Sequence, residues 1–464
     1  MTLSRRRLLT RVLPRAVALL ALPSVLGVGR SASAAPGSAA AAQGGGGLNL
    51  AQYGLDNGLE VILVEDHTAP TVAVDVWYRV GAADDPPGRS GFAHLFEHMM
   101  FEGSANVPPG RHAELISAAG GSSNATTALD RTNYFETLPA HQLPLALWLE
   151  ADRMRSLVVD QANFEREREV VKEEYRQRIG NQPYGQASLR LQTIAYDYPP
   201  YQRPTIGSIE DLEAATVDEV RAFHTAYYKP NNAVLVVAGD LDVGQTRDLV
   251  RRYFVDIPRQ DPPPALPPYT FTPQQGGQEV TVQDDLARVP ATFLAYRMPP
   301  RGQPDYYAAE LLSRVLGAGS SSRLAGALVD GGLATTANTF LSGNRGPSLF
   351  SASLVPNAGV PPERLEQVYE DELERIRSRG VDSDELTKAV SQIRTGRIRG
   401  LQTVLGLAES AQAANFYLGD PNGLFAELDR YRAVTTADVQ RVADQYLTRD
   451  HRNVVDVVPT GGGG

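Results

Sequence analysis

The chain repeats itself, and the repeat limits the folds open to it. Thr216-Val217-Asp218-Glu219-Val220-Arg221 leads to Tyr228 and then to the apolar run Asn232-Ala233-Val234-Leu235-Val236-Val237. Near the end, Thr435-Thr436-Ala437-Asp438-Val439-Gln440 leads to Tyr446 and then to Asn453-Val454-Val455-Asp456-Val457-Val458. A capped helix followed by a β-branched strand thus occurs twice. The strands read at 60–65 and 71–78 are likewise matched by strands at 279–282 and 291–296. Such a unit buries its apolar faces only by layering helices on a sheet. The 464 residues are enough for two such units.

Between these landmarks the pattern predicts a helix at 111–119, short strands at 126–128 and 133–137 around the turn Asp130-Arg131, and a long helix at 139–157. A charged helix at 163–179 follows, then a helix at 217–227, a buried strand at 232–240 and a helix at 243–254. Pro258, Pro262, Pro263, Pro264, Pro267 and Pro268 mark a semi-rigid linker at 257–276. The first domain is therefore expected at 48–256 and the second at 277–460. The helix of the second domain that corresponds to the one around His94 falls near 306–316 and holds no histidine.

Residues 1–34 read as an export signal of twin-arginine or Sec type: Arg5-Arg6-Arg7, a modest apolar run, then Ala32-Ser33-Ala34 as a cleavage site. Residues 35–47 read as a flexible lead-in. The expected location is periplasmic or secreted. The signal holds six arginines and no acid, so the mature chain carries 44 − 6 = 38 basic against 54 acidic groups, a net charge near −16. That balance argues against nucleic acid or an anionic membrane as partner. No run beyond the signal is apolar enough to span a bilayer. Without cysteine there is neither disulfide nor thiolate ligand, so any metal must be held by His, Asp or Glu.

The chemistry gathers at Gly91-Phe92-Ala93-His94-Leu95-Phe96-Glu97-His98-Met99. On a helix His94 and His98 share a face one turn apart, and Glu97 borders it. Two imidazoles at that spacing reach one metal ion, and a neighbouring carboxylate can take a proton from metal-bound water. The order H-x-x-E-H is the inverted form of the usual zinc-peptidase motif. A third ligand is needed, and the helix at 163–179 offers Glu165, Glu167, Glu169, Glu173 and Glu174. Spacing alone does not choose among them. His67, His112, His141, His224 and His451 lack ligand spacing and are expected at surface or locally bonded positions.

With four further segments, that motif resembles the pitrilysin-type zinc metallopeptidases, in the branch of two-domain bacterial and mitochondrial-processing-type subunits. The segments are Gly120-Gly121-Ser122-Ser123-Asn124-Ala125-Thr126-Thr127 with Asp130, Thr132 and Tyr134; Glu167-Arg168-Glu169-Val170-Val171-Lys172-Glu173-Glu174; Tyr228-Lys229-Pro230-Asn231-Asn232-Ala233 with Ala238-Gly239-Asp240; and Ser321-Ser322-Arg323-Leu324. The resemblance implies an α+β fold of two repeated α/β-roll domains, each a mainly antiparallel sheet flanked by helices, facing each other across a chamber. It implies one zinc ion per chain on His94, His98 and Glu174, with Glu97 as general base and Glu167 assisting from outside the ligand set. It also implies an extended substrate laid along Asn124, Ala125 and Thr126.

One departure stands out. Self-sufficient relatives carry an Arg and a Tyr in the second half, in a stretch that corresponds here to residues 327–335. The tyrosine position is Thr335, and the arginine position is Val329 or Leu328. The expected function is an exported zinc endopeptidase acting on peptides or unfolded segments. A homologous second subunit is expected to supply the Arg/Tyr pair, giving a heterodimer, or else the chain works as a homodimer. The alternative is a non-catalytic metal- and peptide-binding or assembly subunit.

Overall fold

The computed structural model describes residues 47–460. The expected signal at 1–34 and nearly all of the lead-in at 35–47 lie outside the described residues. The first sheet is formed by β1 (Leu50–Gly54), β2 (Glu60–Glu65), β3 (Thr71–Tyr78), β4 (Ser122–Thr127), β5 (Thr132–Pro139) and β6 (Ala233–Gly239), in the order β1-β2-β6-β3-β5-β4. The second contains β7 (Glu279–Asp284), β8 (Ala291–Met298), β9 (Ala334–Ser342), β10 (Ser348–Pro356) and β11 (Asn453–Pro459), in the order β7-β11-β8-β10-β9. Without β1 the two orders correspond strand for strand. The directions agree as well: β2–β6 and β7–β11 are parallel, and the other pairs are antiparallel.

The helices keep the same order. The first half has α1 (Phe92–Met99), α2 (Arg111–Ala118), α3 (Leu143–Ser156), α4 (Gln161–Tyr175), α5 (Gly185–Ala195), α6 (Ile209–Ala214), α7 (Val217–Tyr227) and α8 (Val243–Phe254). The second has α9 (Pro304–Gly317), α10 (Pro362–Arg379), α11 (Ser383–Gly400), α12 (Val404–Leu418), α13 (Gly423–Ala433) and α14 (Thr436–Tyr446). In this order α1 corresponds to α9, and α3–α7 correspond to α10–α14. The repeated threonines do the same work twice. Thr216 with Glu219, and Thr435 with Asp438, close capping boxes at the starts of α7 and α14.

The central strands are buried on both faces. Val61 and Leu63 of β2 join the core that includes Phe92, Leu95 and Phe96 of α1, whereas Ile62 and Val64 pack with Leu407, Ala408 and Ala411 of α12. So α12 covers the sheet of the other half. The exchange is mutual: Ala187, Leu191 and Ile194 of α5 pack on Ala295, Val455 and Val457 of the second sheet. Each fully buried Leu or Ile in these contacts contributes about 1.5–3 kcal/mol. The buried Gln412 amide fastens α12 further, donating to the carbonyls of Asp75 and Val234 at 2.9 Å each.

Several elements differ from the sequence reading; the helix expected from 139, for one, starts at Leu143, because Pro139 ends β5. The strands around Asp130-Arg131 are longer than expected, because Ser122 and Ser123 pair with Thr137 and Glu136 despite their weak β preference. The charged helix ends at Tyr175, and Arg176–Gly180 continues as a π-helical turn. From 257 to 276 there is neither helix nor strand, but the segment is held down: the Tyr198 hydroxyl donates to the Pro267 carbonyl at 2.8 Å. Among the described residues no helix is long and apolar enough to cross a membrane.

Candidate metal centre

The structure fixes α1 before it presents any chemistry. The Asp85 carboxylate accepts the N–H groups of Gly91 and Ala93 at 2.7 and 2.9 Å, satisfying the open amides of the first turn. Burial pushes the Asp85 pKa up to about 8 in spite of these two bonds. Gly91 has φ +95°, and a Cβ there would lie 3.0 Å from the Gly207 Cα. Phe92, Leu95, Phe96 and Met99 are buried and set the roll of the helix. Phe96 stacks on Phe223 with centroids 5.5 Å apart, and its carbonyl accepts the Tyr134 hydroxyl at 3.1 Å. The remaining face carries His94, buried, with Glu97 and His98, both half-buried.

Helix α4 supplies the facing groups. Asp160 caps it, accepting from the Asn163 N–H at 2.8 Å. Buried Phe164 and Val171 turn one face inward, and Glu167 and Glu174 share that face at helical spacing. Glu165, Glu169 and Glu173 point to solvent. Glu169 pairs with Lys172, and Glu173 with Arg176.

The side chains of the two helices converge. His98 Nε2 lies 3.1 Å from Glu174 Oε2, and His94 Nε2 lies 3.6 Å from the same oxygen. The imidazoles stand at 90° with centroids 5.0 Å apart. One ligand atom from each of His94, His98 and Glu174 fits within a 4.8 Å span. His98 turns its other nitrogen, Nδ1, toward Glu167 Oε2 at 3.5 Å. A ligating histidine commonly has its second nitrogen held by a carboxylate in this way. Two imidazole nitrogens and a carboxylate oxygen, with no cationic side chain between them, suit zinc or a similar divalent ion.

The metal-free electrostatics are those of a charged cluster. Burial alone would lower the His98 pKa, but the hydrogen bonds and charges of Glu167 and Glu174 outweigh it and raise the value to about 9. Burial pushes Glu174 up, yet the His98 hydrogen bond and the charges of His94, His98 and Arg178 bring it down to about 2. His94 is lowered, chiefly by burial. Its Nδ1 is buried without a partner, so Nε2 carries its polar contact. Glu97 is oriented from the edge strand: the Thr127 hydroxyl donates to Glu97 Oε2 at 2.7 Å.

Strand β4 is the edge of the first sheet beyond β5. By strand alternation, Ala125 and Thr127 face α1, while Asn124 and Thr126 lie on the opposite side. Ala125 is buried and Asn124 exposed. Arg131 Nη1 donates to the Thr126 carbonyl at 2.9 Å and holds the end of the strand. The positions lacking the Arg/Tyr pair fall on a π-helical turn, Ala325–Val329, and at the start of β9, where Thr335 is exposed.

A second group of possible ligands, His112, Glu136 and Glu150, is fully buried, but its cation is already present. Arg153 lies among them. Its Nε donates to Glu150 at 3.0 Å, and its Nη atoms reach Glu136 at 3.3 Å and His112 Nδ1 at 3.2 Å. His112 is thus locally bonded, as expected. His224 is instead a core residue stacked against Phe96 and Tyr228, and burial pushes its pKa down to about 3. Thr127 and Arg178 touch the centre, and Asp85 holds the start of α1, without having been assigned roles from sequence. The contributions of Asp85 and Thr127 depend on tertiary approach, which spacing does not encode, whereas Arg178 lies at i,i+4 from Glu174.

Comparison with known proteins gives the chain its family and fold. Residues 60–208 match the family described as "Insulinase (Peptidase family M16)", and residues 214–393 match "Peptidase M16 inactive domain". The zinc protease PqqE of Helicobacter pylori is 31% identical over 411 residues, covering 87% of this chain and 92% of that protein. The crystal structure of a protease from Helicobacter pylori superposes with a TM-score of 0.84 at 30% identity, covering 89% of this chain and all of the other. The periplasmic protease PqqL from Escherichia coli shares the fold, with a TM-score of 0.72 at 18% identity. That match covers 90% of this chain but 48% of PqqL.

Proposed function

The chain belongs to peptidase family M16, and from that premise we propose that it is a zinc-dependent endopeptidase acting on peptides or unfolded polypeptide segments. The observation that carries the reading is the meeting of His94, His98 and Glu174 beside a Glu97 carboxylate held by Thr127. His94, His98 and Glu174 would hold the ion. Zinc, when bound there, supplies Lewis-acid polarisation of the scissile carbonyl and an acidified water. Glu97 would accept a proton at its carboxylate and pass it to the leaving amine. Glu167 keeps His98 oriented through Nδ1. The free edge of β4 at Asn124, Ala125 and Thr126 pairs with the backbone of an extended substrate, a sequence-tolerant mode of binding.

We assign the chemistry to a domain at 48–256 and read 277–460 as its ligand-free partner across the linker. The chain is taken to be exported to the periplasm or beyond. A homologous second subunit completes the site with the Arg/Tyr pair that Val329 or Leu328 and Thr335 do not provide; otherwise the chain works as a homodimer with a weaker oxyanion site. That absence also favours a second reading, a subunit that binds metal and peptide without turnover. A quenched-fluorescence peptide library separates the two. Cleavage by the purified chain, alone or mixed with a homologous subunit, supports the peptidase, and cleavage in the mixture alone supports the shared site. No cleavage in either favours the binding subunit.

A further inference from the structure

The two oxygens of Glu174 are shared between two kinds of partner. Oε2 faces both imidazoles, while Oε1 forms an ion pair with Arg178 Nη1 at 2.7 Å. A glutamate carboxyl turns freely about its last torsion, so a ligand glutamate needs a second contact to keep one oxygen forward. We propose that Arg178 is a positioning residue for the third metal ligand, holding Glu174 so that Oε2 stays directed at His94 and His98. An exposed i,i+4 ion pair contributes little by itself. This one differs because its acid is only 17% exposed and faces a cluster of imidazoles.

The backbone carrying Arg178 is fixed from two sides. It lies in the π-helical turn Arg176–Gly180, which continues α4. Beyond the turn, a Cβ on Gly185 would lie 2.2 Å from the Ile179 carbonyl oxygen, so α5 begins directly against it. Between them Tyr184 has φ +66°, the one positive value outside glycine among the described residues. Its N–H donates to Asp284 at 2.7 Å, its hydroxyl donates to the Val289 carbonyl at 3.0 Å, and its ring meets Phe293 at 5.8 Å. All three partners belong to β7, β8 and the loop that joins them in the second half. The turn is therefore anchored on the second sheet, and Arg178 reaches back from it to the metal centre.

An arginine on a ligand carboxylate has two opposite effects. It fixes orientation, which tightens metal binding, and it draws off charge, which weakens it. The proposal is that orientation wins, and the sign of one substitution decides. It rests on the metal-centre reading above, so the full-length parent and His94→Ala are measured alongside Arg178→Met and Arg178→Lys. Zinc affinity is read by competition with a chromophoric chelator, and coordination by the visible spectrum of the cobalt(II)-loaded protein. Arg178→Met is expected to bind zinc about ten-fold more weakly, the lower end of the usual effect for partners of metal ligands, with an altered cobalt spectrum. Arg178→Lys is expected to recover most of the affinity. Equal or tighter binding by Arg178→Met with an unaltered spectrum overturns the proposal. A parent that binds no zinc, or a His94→Ala variant that binds as tightly as the parent, overturns the metal-centre reading and the proposal with it.

Discussion

Between α1 and α4 in the first half lie His94, His98 and Glu174; between α9 and α11 in the second half lie Tyr306, Glu310 and Arg397. The positions correspond closely. His94 and His98 are the third and seventh residues of α1, and Tyr306 and Glu310 are the third and seventh of α9. Glu174 stands near the end of α4, and Arg397 near the end of α11. The chemistry is opposite. Arg397, half-buried, interacts with Glu427, Glu310 and the tyrosines around it, and the Tyr431 hydroxyl donates to Glu310. The second half supplies its own cation, as buried acids require. In the first half the arginine, Arg178, stands on the outer oxygen of Glu174, and Oε2 faces imidazoles, which can give up a proton to admit an ion. The repeat preserves a framework, and a few side chains between two helices set the charge at its centre.

Breaking the first half at its base should have the largest effect. Glu97→Gln is expected to reduce peptide hydrolysis on the order of 10²–10⁴-fold while bound zinc stays unchanged by atomic absorption. In the second half the matching break is structural. Arg397→Met removes one cation from Glu310 and Glu427, leaving Arg314 and Arg301 near them, and should lower stability by chemical denaturation by at most about 3–5 kcal/mol, with zinc content retained in the folded fraction. Thr127→Val frees the Glu97 carboxylate without touching a ligand. Its turnover should fall about ten-fold at constant zinc affinity, and a matching loss of zinc would place Thr127 in the metal site instead.

The smallest effect concerns pH. Burial pushes the Glu427 pKa from 4.5 up to about 7, against the pull of Arg397 and Arg301. The folded state therefore holds that proton more tightly than the unfolded chain does. Its contribution to stability is present below pH 4.5 and is lost as pH rises through about 7. Melting temperatures across this window should fall less steeply for Glu427→Gln than for the parent. Parallel curves would remove Glu427 from the account.

Much of the framework was legible because its signals are local. The helices at 217–227 and 243–254 and the strands at 60–65 and 71–78 match α7, α8, β2 and β3 in full, since caps, periodicity and β-branched runs mark their ends. Helices α5 and α12 left no comparable signal. Each packs on the sheet of the other half, a contact between residues far apart in sequence, and Ala408, Ala411 and Ala414 carry little amphipathic contrast. The same division holds at the centre. Helical spacing alone put His94, Glu97 and His98 together. Glu174 needed the resemblance, although Phe164 and Val171 already marked the face it shares with Glu167. Arg178 stands at helical i,i+4 spacing from Glu174, but the approaches of Asp85 and Thr127 follow from how loops and strands meet α1, and no spacing rule reports those.

The central claim is that the first half holds one zinc ion through His94, His98 and Glu174. Zinc content per chain, measured after dialysis for the parent and for Glu174→Ala, tests it most directly. The account expects about one ion in the parent and almost none in the variant, because two imidazoles alone make an incomplete site. Full zinc content in Glu174→Ala, with the fold intact, would contradict it.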